Sequence, residues 1–158
     1  MATIATLHKS GNVDGNSAYK QFPSGGLFVR KATIATSTLA LNDVIQALDV
    51  FAGEELHAVR IKSTDIDTNG SPAVVLDVGY GNSDSATAAT SDDIIDGSTI
   101  GQAGGSSVAS VWSSDDDAGT AFAEGPLAFS ADDTIDIHVQ VAPATSVAGT
   151  ITIYGYFS

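Results

Sequence analysis

The sequence contains no cysteine among its 158 residues. This absence excludes disulfide bonds, thiol catalysis and cysteine-based zinc sites, and it suits folding in a reducing cytoplasm. No run of about 18 apolar residues is present, which argues against a membrane-spanning helix. The opening residues 1–10 lack the basic start and the apolar stretch that mark a secretory signal. We therefore expect no membrane partner and no secretion through a signal peptide.

Basic residues are few, and they are confined to one end of the chain. All six lie in the first 62 positions with five acidic residues, whereas the remaining 96 positions hold fourteen acidic residues and no basic one. Because nucleic-acid binding depends on lysine and arginine neutralising phosphates, no nucleic-acid partner is predicted. The plain interpretation of the charge of −13 is an acidic surface that faces solvent. The alternative is that the near-neutral N-terminal part meets a partner.

Apolar residues alternate with other residues near the C-terminus, which is typical of half-buried β-strands. The apolar positions are Ile135, Ile137, Val139 and Val141, and the positions between them are Asp136, His138 and Gln140. The alternation resumes over residues 151–157 after a short turn. No comparable pattern supports a long helix, so we predict an all-β protein in which His138 lies on a polar face.

Further strands are predicted at intervals of about eight to twelve residues. They cover residues 27–36, 44–51, 56–63 and 73–80, with shorter strands near 94–95, 108–112, 121–123 and 126–129. Residues 44–51 also fit a short helix, but we favour a strand because Gly53 ends it quickly and the next strand follows at hairpin distance. This many strands predicts an antiparallel β-sandwich with jelly-roll topology.

Residues 1–26 differ in composition from the rest of the chain. Residues 2–7 fit a short strand, and residues 10–26 are rich in serine, glycine and asparagine without periodicity. We predict an N-terminal strand and extended arm over 1–26, followed by the sandwich domain over 27–158. Tyr19 and Phe22 either anchor the arm to a neighbouring chain or fold back onto their own domain.

Asp65, Asp67, Asn69 and Gly70 match the first half of an EF-hand calcium loop. The match fails at its twelfth position, where Leu76 replaces the required glutamate. A tight turn in which Asp and Asn side chains bond their own backbone is therefore favoured, and a weak calcium site is the alternative. The same preference for solvated loop acids over a cation site applies to the clusters Asp115, Asp116, Asp117 and Asp132, Asp133.

No catalytic constellation is visible. The histidines His8, His57 and His138 are isolated, and residues 97–105 lack both the glycine spacing and the lysine of a phosphate-binding loop. Nothing brings two of Glu54, Glu55 and Glu124 into the pairing that glycoside hydrolysis needs. We predict no enzymatic activity and no cofactor. Trp112, the single tryptophan, is expected in the core rather than at an interface.

The pattern of turns and strands over residues 33–157 resembles the jelly-roll decoration, or cement, proteins of tailed bacteriophages. The stretches that carry the resemblance are 40–45 (ALNDVI), 51–54 (FAGE), 63–72 (STDIDTNGSP), 75–81 (VLDVGYG), 97–105 (GSTIGQAGG), 131–136 (ADDTID) and 142–145 (APAT). The resemblance implies a non-enzymatic virion protein, assembled in the host cytoplasm. It further implies a homotrimer on the capsid exterior that binds the major capsid protein and stabilises capsomer junctions.

Our hypothesis is that the N-terminal arm and the start of the first strand make the capsid or intersubunit contacts. The residues concerned are Lys9, Tyr19, Lys20, Phe22, Arg30 and Lys31. One alternative function is another virion component, such as a head fibre, tail or baseplate subunit. The other is a carbohydrate- or calcium-binding β-sandwich module, which the scarcity of aromatic residues and the broken calcium loop disfavour. The absence of a catalytic constellation makes a hydrolase a poor fit.

Overall fold

A computed structural model of the chain describes residues 26–81, 91–112 and 118–158. These residues form nine strands and one 3₁₀ turn, Ile100–Gln102. The strands are β1 (Phe28–Thr36), β2 (Val44–Val50), β3 (Glu55–Ser63), β4 (Val75–Tyr80), β5 (Ile95–Ser98), β6 (Gly105–Ser110), β7 (Leu127–Ala128), β8 (Asp133–Val141) and β9 (Gly149–Phe157). In this part of the chain, no helix has the length and hydrophobicity needed to cross a membrane. The strand predicted at 2–7 lies outside it.

The strands form two antiparallel sheets. Sheet I has the order β1-β9-β3-β6, with β7 paired to β3, and sheet II has the order β2-β8-β4-β5. The pairs β1 with β9, β2 with β8, β3 with β6 and β4 with β5 describe one long antiparallel ribbon that is folded across both sheets. This is the arrangement of a jelly roll. The predicted antiparallel β-sandwich is therefore confirmed.

The core lies between the inward faces of the two sheets, as the alternating sequence predicted. On β9, Ile151, Ile153 and Phe157 have no exposed surface, and on β8 Ile135 and Ile137 have none. Full burial of one such side chain contributes about 1.5–3 kcal/mol. The apolar positions predicted for β8 and β9 are thus their main contribution to the core, except Val141 at the end of β8, which is 40% exposed.

The segment that fitted either a helix or a strand is the strand β2. Its expected hairpin partner, β3, lies in the other sheet, so the hairpin prediction is wrong. The connection from Phe51 to Glu54 crosses from sheet II to sheet I, with a hydrogen bond from Glu54 N to Phe51 O of 3.1 Å. Gly53 supports this crossing with φ of +91°, a conformation that other residues rarely adopt.

Three further expectations differ from the structure. His138 is 1% exposed and Asp136 is 0% exposed, so two of the three polar positions of β8 are buried rather than solvated, whereas Gln140 is exposed. Trp112 is 65% exposed and stacks on His57 with ring centroids 5.9 Å apart, so it is not a core residue. Residues 121–124 form a turn instead of a strand, closed by the hydrogen bond from Ala123 N to Thr120 O.

Candidate functional site

The calcium-loop candidate is built around a buried carboxylate. Asp67 is 1% exposed, and its side chain accepts hydrogen bonds from five backbone N–H groups, three in its own loop and two in a distant loop. The donors are Asn69 at 3.4 Å, Ala73 at 2.7 Å, Val74 at 3.2 Å, Ala144 at 2.9 Å and Thr145 at 2.8 Å. Because these N–H groups present positive dipole ends, they stabilise the carboxylate as an anion and occupy the oxygens that a cation would need.

The acidity of Asp67 reflects this arrangement. Burial by itself would raise the pKa of the carboxyl, but the backbone hydrogen bonds from Ala73, Thr145, Ala144 and Val74 outweigh it. The pKa is therefore held well below its usual range. Asp67 ties the loop before β4 to the loop before β9, which is a structural role.

The neighbouring polar residues form successive turns along the same loop. Asp65 Oδ1 accepts from Asp67 N at 3.0 Å, and Asn69 Oδ1 accepts from Ser71 N at 2.9 Å. These are the side-chain-to-backbone bonds that the tight-turn interpretation predicted. Within the described ranges, no group of three or more His, Cys, Asp or Glu residues is arranged to hold a metal ion.

Arg30 lies at the open end of the sandwich, between the two sheets. It donates to Glu54 Oε1 at 2.5 Å, to Glu54 Oε2 at 2.6 Å and to the carbonyl oxygen of Asp49 at 2.9 Å. Its guanidinium carbon also lies 4.7–5.1 Å from the ring centroids of three aromatic residues. These are Phe28, Phe51 and Phe157. The Arg30 side chain is 12% exposed, so its contacts lie mainly within its own domain.

The sequence next to Arg30 makes room for this cluster. Gly155 on β9 is the register partner of Arg30. A Cβ at Gly155 would lie 2.5 Å from the ring of Phe157 and 3.0 Å from Leu48. The glycine is required there because the ring occupies the volume that a side chain would need. The Arg30–Glu54 pair also explains why Glu54 is not one of two free carboxylates suited to hydrolysis.

Lys31 points the opposite way from Arg30, because successive residues of a strand leave opposite faces. It is exposed on the outer face of sheet I, directly opposite Tyr154 of β9. Tyr154 in turn lies opposite Arg60 of β3. Arg60 and Tyr154 were not singled out from the sequence. The alternation around Arg60 could have indicated that its side chain faces outward, but the sequence does not show which residues lie beside it on the neighbouring strands.

Sheet II buries a polar pair on its outward side. Asp77 of β4 and His138 of β8 are register partners, and they are 4% and 1% exposed. Burial raises the pKa of Asp77 to about 6, although the Gly97 N–H donated at 2.7 Å opposes the shift. Burial lowers the pKa of His138 to about 4. Neither ring nitrogen of His138 has a hydrogen-bond partner among the described residues.

The other candidate residues are not brought together. Lys9, Tyr19, Lys20 and Phe22 lie outside the described residues, as do His8 and Asp115, Asp116, Asp117. Asp132 accepts a hydrogen bond from Ala52 N at 3.0 Å, and Asp133 accepts from Gly81 N at 2.9 Å. Both carboxylates of this pair therefore serve loop structure.

Comparison with known proteins places the fold. No protein-family model matches the chain, and no curated protein matches it. It aligns with a chain from a structure titled "Capsid of Ralstonia phage GP4" at a TM-score of 0.70 and 22% identity, over 99% of this chain and 97% of that one. It also aligns with a chain of the "Cyanophage Pam1 capsid asymmetric unit" at a TM-score of 0.65 and 22% identity, over 92% and 97%. The chain shares the fold of these two.

Proposed function

We propose that the chain is a non-enzymatic virion structural protein that decorates and stabilises a tailed-phage capsid. In this proposal it acts as a cement protein on the capsid exterior, at the junctions between capsomers. The observation that carries it is the alignment over nearly the whole chain with chains from two phage capsids, at TM-scores of 0.70 and 0.65. Fold likeness alone does not fix function. The sequence resemblance to the decoration proteins of tailed phages is a second observation that supports the proposal.

The extent of the alignments favours a small accessory chain. In both comparisons 97% of the matched chain is covered, so the likeness is to an entire chain of similar length. A domain carried within a much longer shell subunit would have left most of that subunit uncovered. A compact jelly roll that attaches to a shell fits this size better than a shell-forming subunit does.

The non-enzymatic part of the proposal is supported by how the candidate chemical groups are used. Glu54 is paired with Arg30, and Asp67 accepts hydrogen bonds from five backbone N–H groups. His138 is buried beside Asp77, so it does not face a substrate. Glu54 and Asp67 each make contacts within the fold that account for their positions.

Attachment in this proposal combines a trimer with the N-terminal arm. A three-fold assembly presents the same contacts three times, and repeated weak contacts become strong through avidity. β1 is an edge strand of sheet I, paired on one side with β9. A strand from an arm can add to such an edge through main-chain hydrogen bonds. Residues 1–26 and Lys31 are the proposed contact elements. Arg30 is left out because its side chain is bound to Glu54 and to the carbonyl oxygen of Asp49 in its own domain.

Co-sedimentation tests the proposed function. The purified full chain would be mixed with expanded shells of the major capsid protein from the same genome. We expect saturable binding at a fixed stoichiometry and shells that resist heat better. No binding to expanded shells would contradict the cement role and favour a tail, fibre or glycan-binding role.

A deletion separates the arm from the domain. Removing residues 1–26 leaves the predicted sandwich domain, and we expect this variant to occupy fewer sites on the shell. Thermal unfolding of the same variant checks that the domain remains folded. Undiminished occupancy would contradict the contact role of the arm and leave the cement role in place.

A further inference from the structure

The outer face of sheet I collects the exposed cations of the described residues. Strand register places twelve side chains in three cross-strand rows on this face. The rows are Val29, Tyr156, Ala58, Ser110; Lys31, Tyr154, Arg60, Val108; and Thr33, Thr152, Lys62, Ser106. Three of the twelve are basic and none is acidic, in a chain whose net charge is −13. We call these twelve residues the basic face.

The cations of the basic face are available to a partner. Lys31, Arg60 and Lys62 are all exposed. Within residues 26–81, 91–112 and 118–158, no carboxylate lies within salt-bridge distance of any of them. Arg60 makes one long hydrogen bond, 3.4 Å, to Ser106 Oγ on the neighbouring strand. Arg30, by contrast, is paired with Glu54 between the sheets. The strand positions of Arg30 and Arg60 therefore direct one arginine into the domain and the other to its surface.

The basic face also carries the side chains that dominate protein interfaces. Tyr154 lies between Lys31 and Arg60 in the central row, and Tyr156 lies in the row beside it. Both tyrosines are half-buried, so each exposes part of a rigid ring. Tyrosine and arginine are enriched at interface hot spots because they bury large areas at low entropic cost.

The size of the basic face fits the central cluster of an interface. Four strands about 4.8 Å apart and three rows about 6.8 Å apart span about 14 by 14 Å. A standard interface buries about 800 Å² on each partner, which is more than this cluster provides. The surrounding loops or repeated copies must therefore supply the remaining contact, and repetition on a shell provides such avidity.

We infer that the basic face docks on a carboxylate-rich outer surface of the capsid shell; this inference rests on the proposed function. Charge complementarity favours an acidic partner, since three unpaired cations meet carboxylates there. Face-to-face contact of two copies would bring the cations together and is therefore disfavoured. A nucleic-acid backbone is disfavoured because three cations must overcome the repulsion of a chain with net charge −13.

The test is co-sedimentation of three full-length proteins with expanded shells of the major capsid protein from the same genome. The first is the wild type, and the second is the neutralised variant K31Q/R60Q/K62Q. The third is the control variant S71E/A123E/Q140E, in which three exposed residues outside the basic face become acidic. The neutralised variant loses three positive charges and the control variant gains three negative charges. Both therefore have a net charge three units more negative than that of the wild type, so net charge cannot distinguish them. Thermal unfolding confirms that all three are folded.

We expect the control to bind like the wild type and the neutralised variant to bind about tenfold more weakly or worse. Raising the salt concentration should weaken wild-type binding and leave the residual binding of the neutralised variant nearly unchanged. Y154A should also weaken binding, although it leaves the charge unchanged.

Several results would overturn the inference. If the neutralised variant binds like the wild type, the basic face is not the docking surface, although the cement role stands. If none of the three proteins binds, the proposed function fails and the docking surface fails with it. If sedimentation velocity shows that only the neutralised variant changes its oligomeric state, the face is a contact between copies. If duplex DNA binds the wild type and displaces it from shells, the partner is a nucleic acid.

Discussion

Arg30 holds one carboxylate and three aromatic rings around a single guanidinium group. The carboxylate belongs to Glu54, at the crossing between the sheets, and two of the rings belong to Phe28 and Phe157 on neighbouring strands of sheet I. The side chains of the pair are 12% and 17% exposed. At such burial, removal of one partner leaves a charge that water cannot fully solvate.

The Arg30→Met variant should therefore be less stable than the wild type by on the order of 3 kcal/mol. The loss has two parts, because Glu54 is left unpaired and the cation–π contacts are removed. Urea unfolding of Arg30→Met, Glu54→Gln and the double variant measures the coupling between the two residues. Strictly additive effects would contradict the role of this pair at the end of the sandwich.

Asp67 is a second residue whose charge serves the fold. Asp67→Asn replaces one acceptor oxygen by an NH₂ group that faces backbone N–H donors, so we expect a clear loss of stability. Asp65→Asn is the matched control, because Asp65 is exposed and accepts one backbone hydrogen bond in the same loop. Urea midpoints compare the two variants. Equal midpoints would show that the contacts between the two loops do not depend on Asp67.

At the scale of elements, the pairing of strands β4 and β8 places two titratable side chains, Asp77 and His138, directly opposite each other. The pKa of Asp77 is raised to about 6, so its contribution to stability is fully present below the ordinary carboxyl range and is lost as the pH rises through about 6. The pKa of His138 is lowered to about 4, so its contribution is present above about 6.5 and is lost as the pH falls through about 4. The two contributions have opposite slopes in the same interval.

Single variants should expose these slopes. In Asp77→Asn, stability should rise with pH between about 4 and 6.5, because only His138 titrates within the pair. In His138→Gln, stability should fall as the pH rises from about 4 to 6, because only Asp77 remains. Urea unfolding at several pH values in this interval measures both slopes. Parallel pH profiles for the two variants would contradict the assignment.

The elements also show how far the sequence predicts this fold. Alternation located β4, β8 and β9, since period two is a local property of a half-buried strand. Strand β2 lacks that pattern, and the hairpin distance that favoured a strand there does not hold in the structure. Which strands pair with each other was harder to predict from the sequence, because the β2–β3 connection has the length of a hairpin loop and yet crosses between the sheets. The burial of His138 was also missed. An apolar residue followed by a polar one predicts that the polar side chain points away from the core, but it does not show whether that outward side of the sheet is exposed to solvent or covered.

At the scale of the molecule, the candidate site was harder to predict than the fold. Lys31 was expected to make contacts, but its neighbours Tyr154 and Arg60 come from strands that are distant in sequence. Only strand register shows that these residues share a face. At Arg30 the charge indicated an outward contact, whereas its place in the strand directs the side chain between the sheets, where it pairs with Glu54.

Charge is unevenly distributed over the whole molecule, and this governs the expected mode of assembly. The chain has a net charge of −13, and three exposed cations, Lys31, Arg60 and Lys62, share one face of sheet I. In the proposed assembly, the basic face of each copy meets an acidic surface in spite of the net negative charge of the chain. Residues 1–26 add Lys9 and Lys20 to the near-neutral end of the sequence.

A cryo-electron microscopy reconstruction of expanded shells saturated with the full chain tests the central claim most directly. The account predicts jelly-roll density on the outside of the shell at capsomer junctions, in three-fold groups, with the outer face of sheet I against the shell. Bare shells alongside unbound protein, or density that is confined to the tail of complete virions, would contradict it.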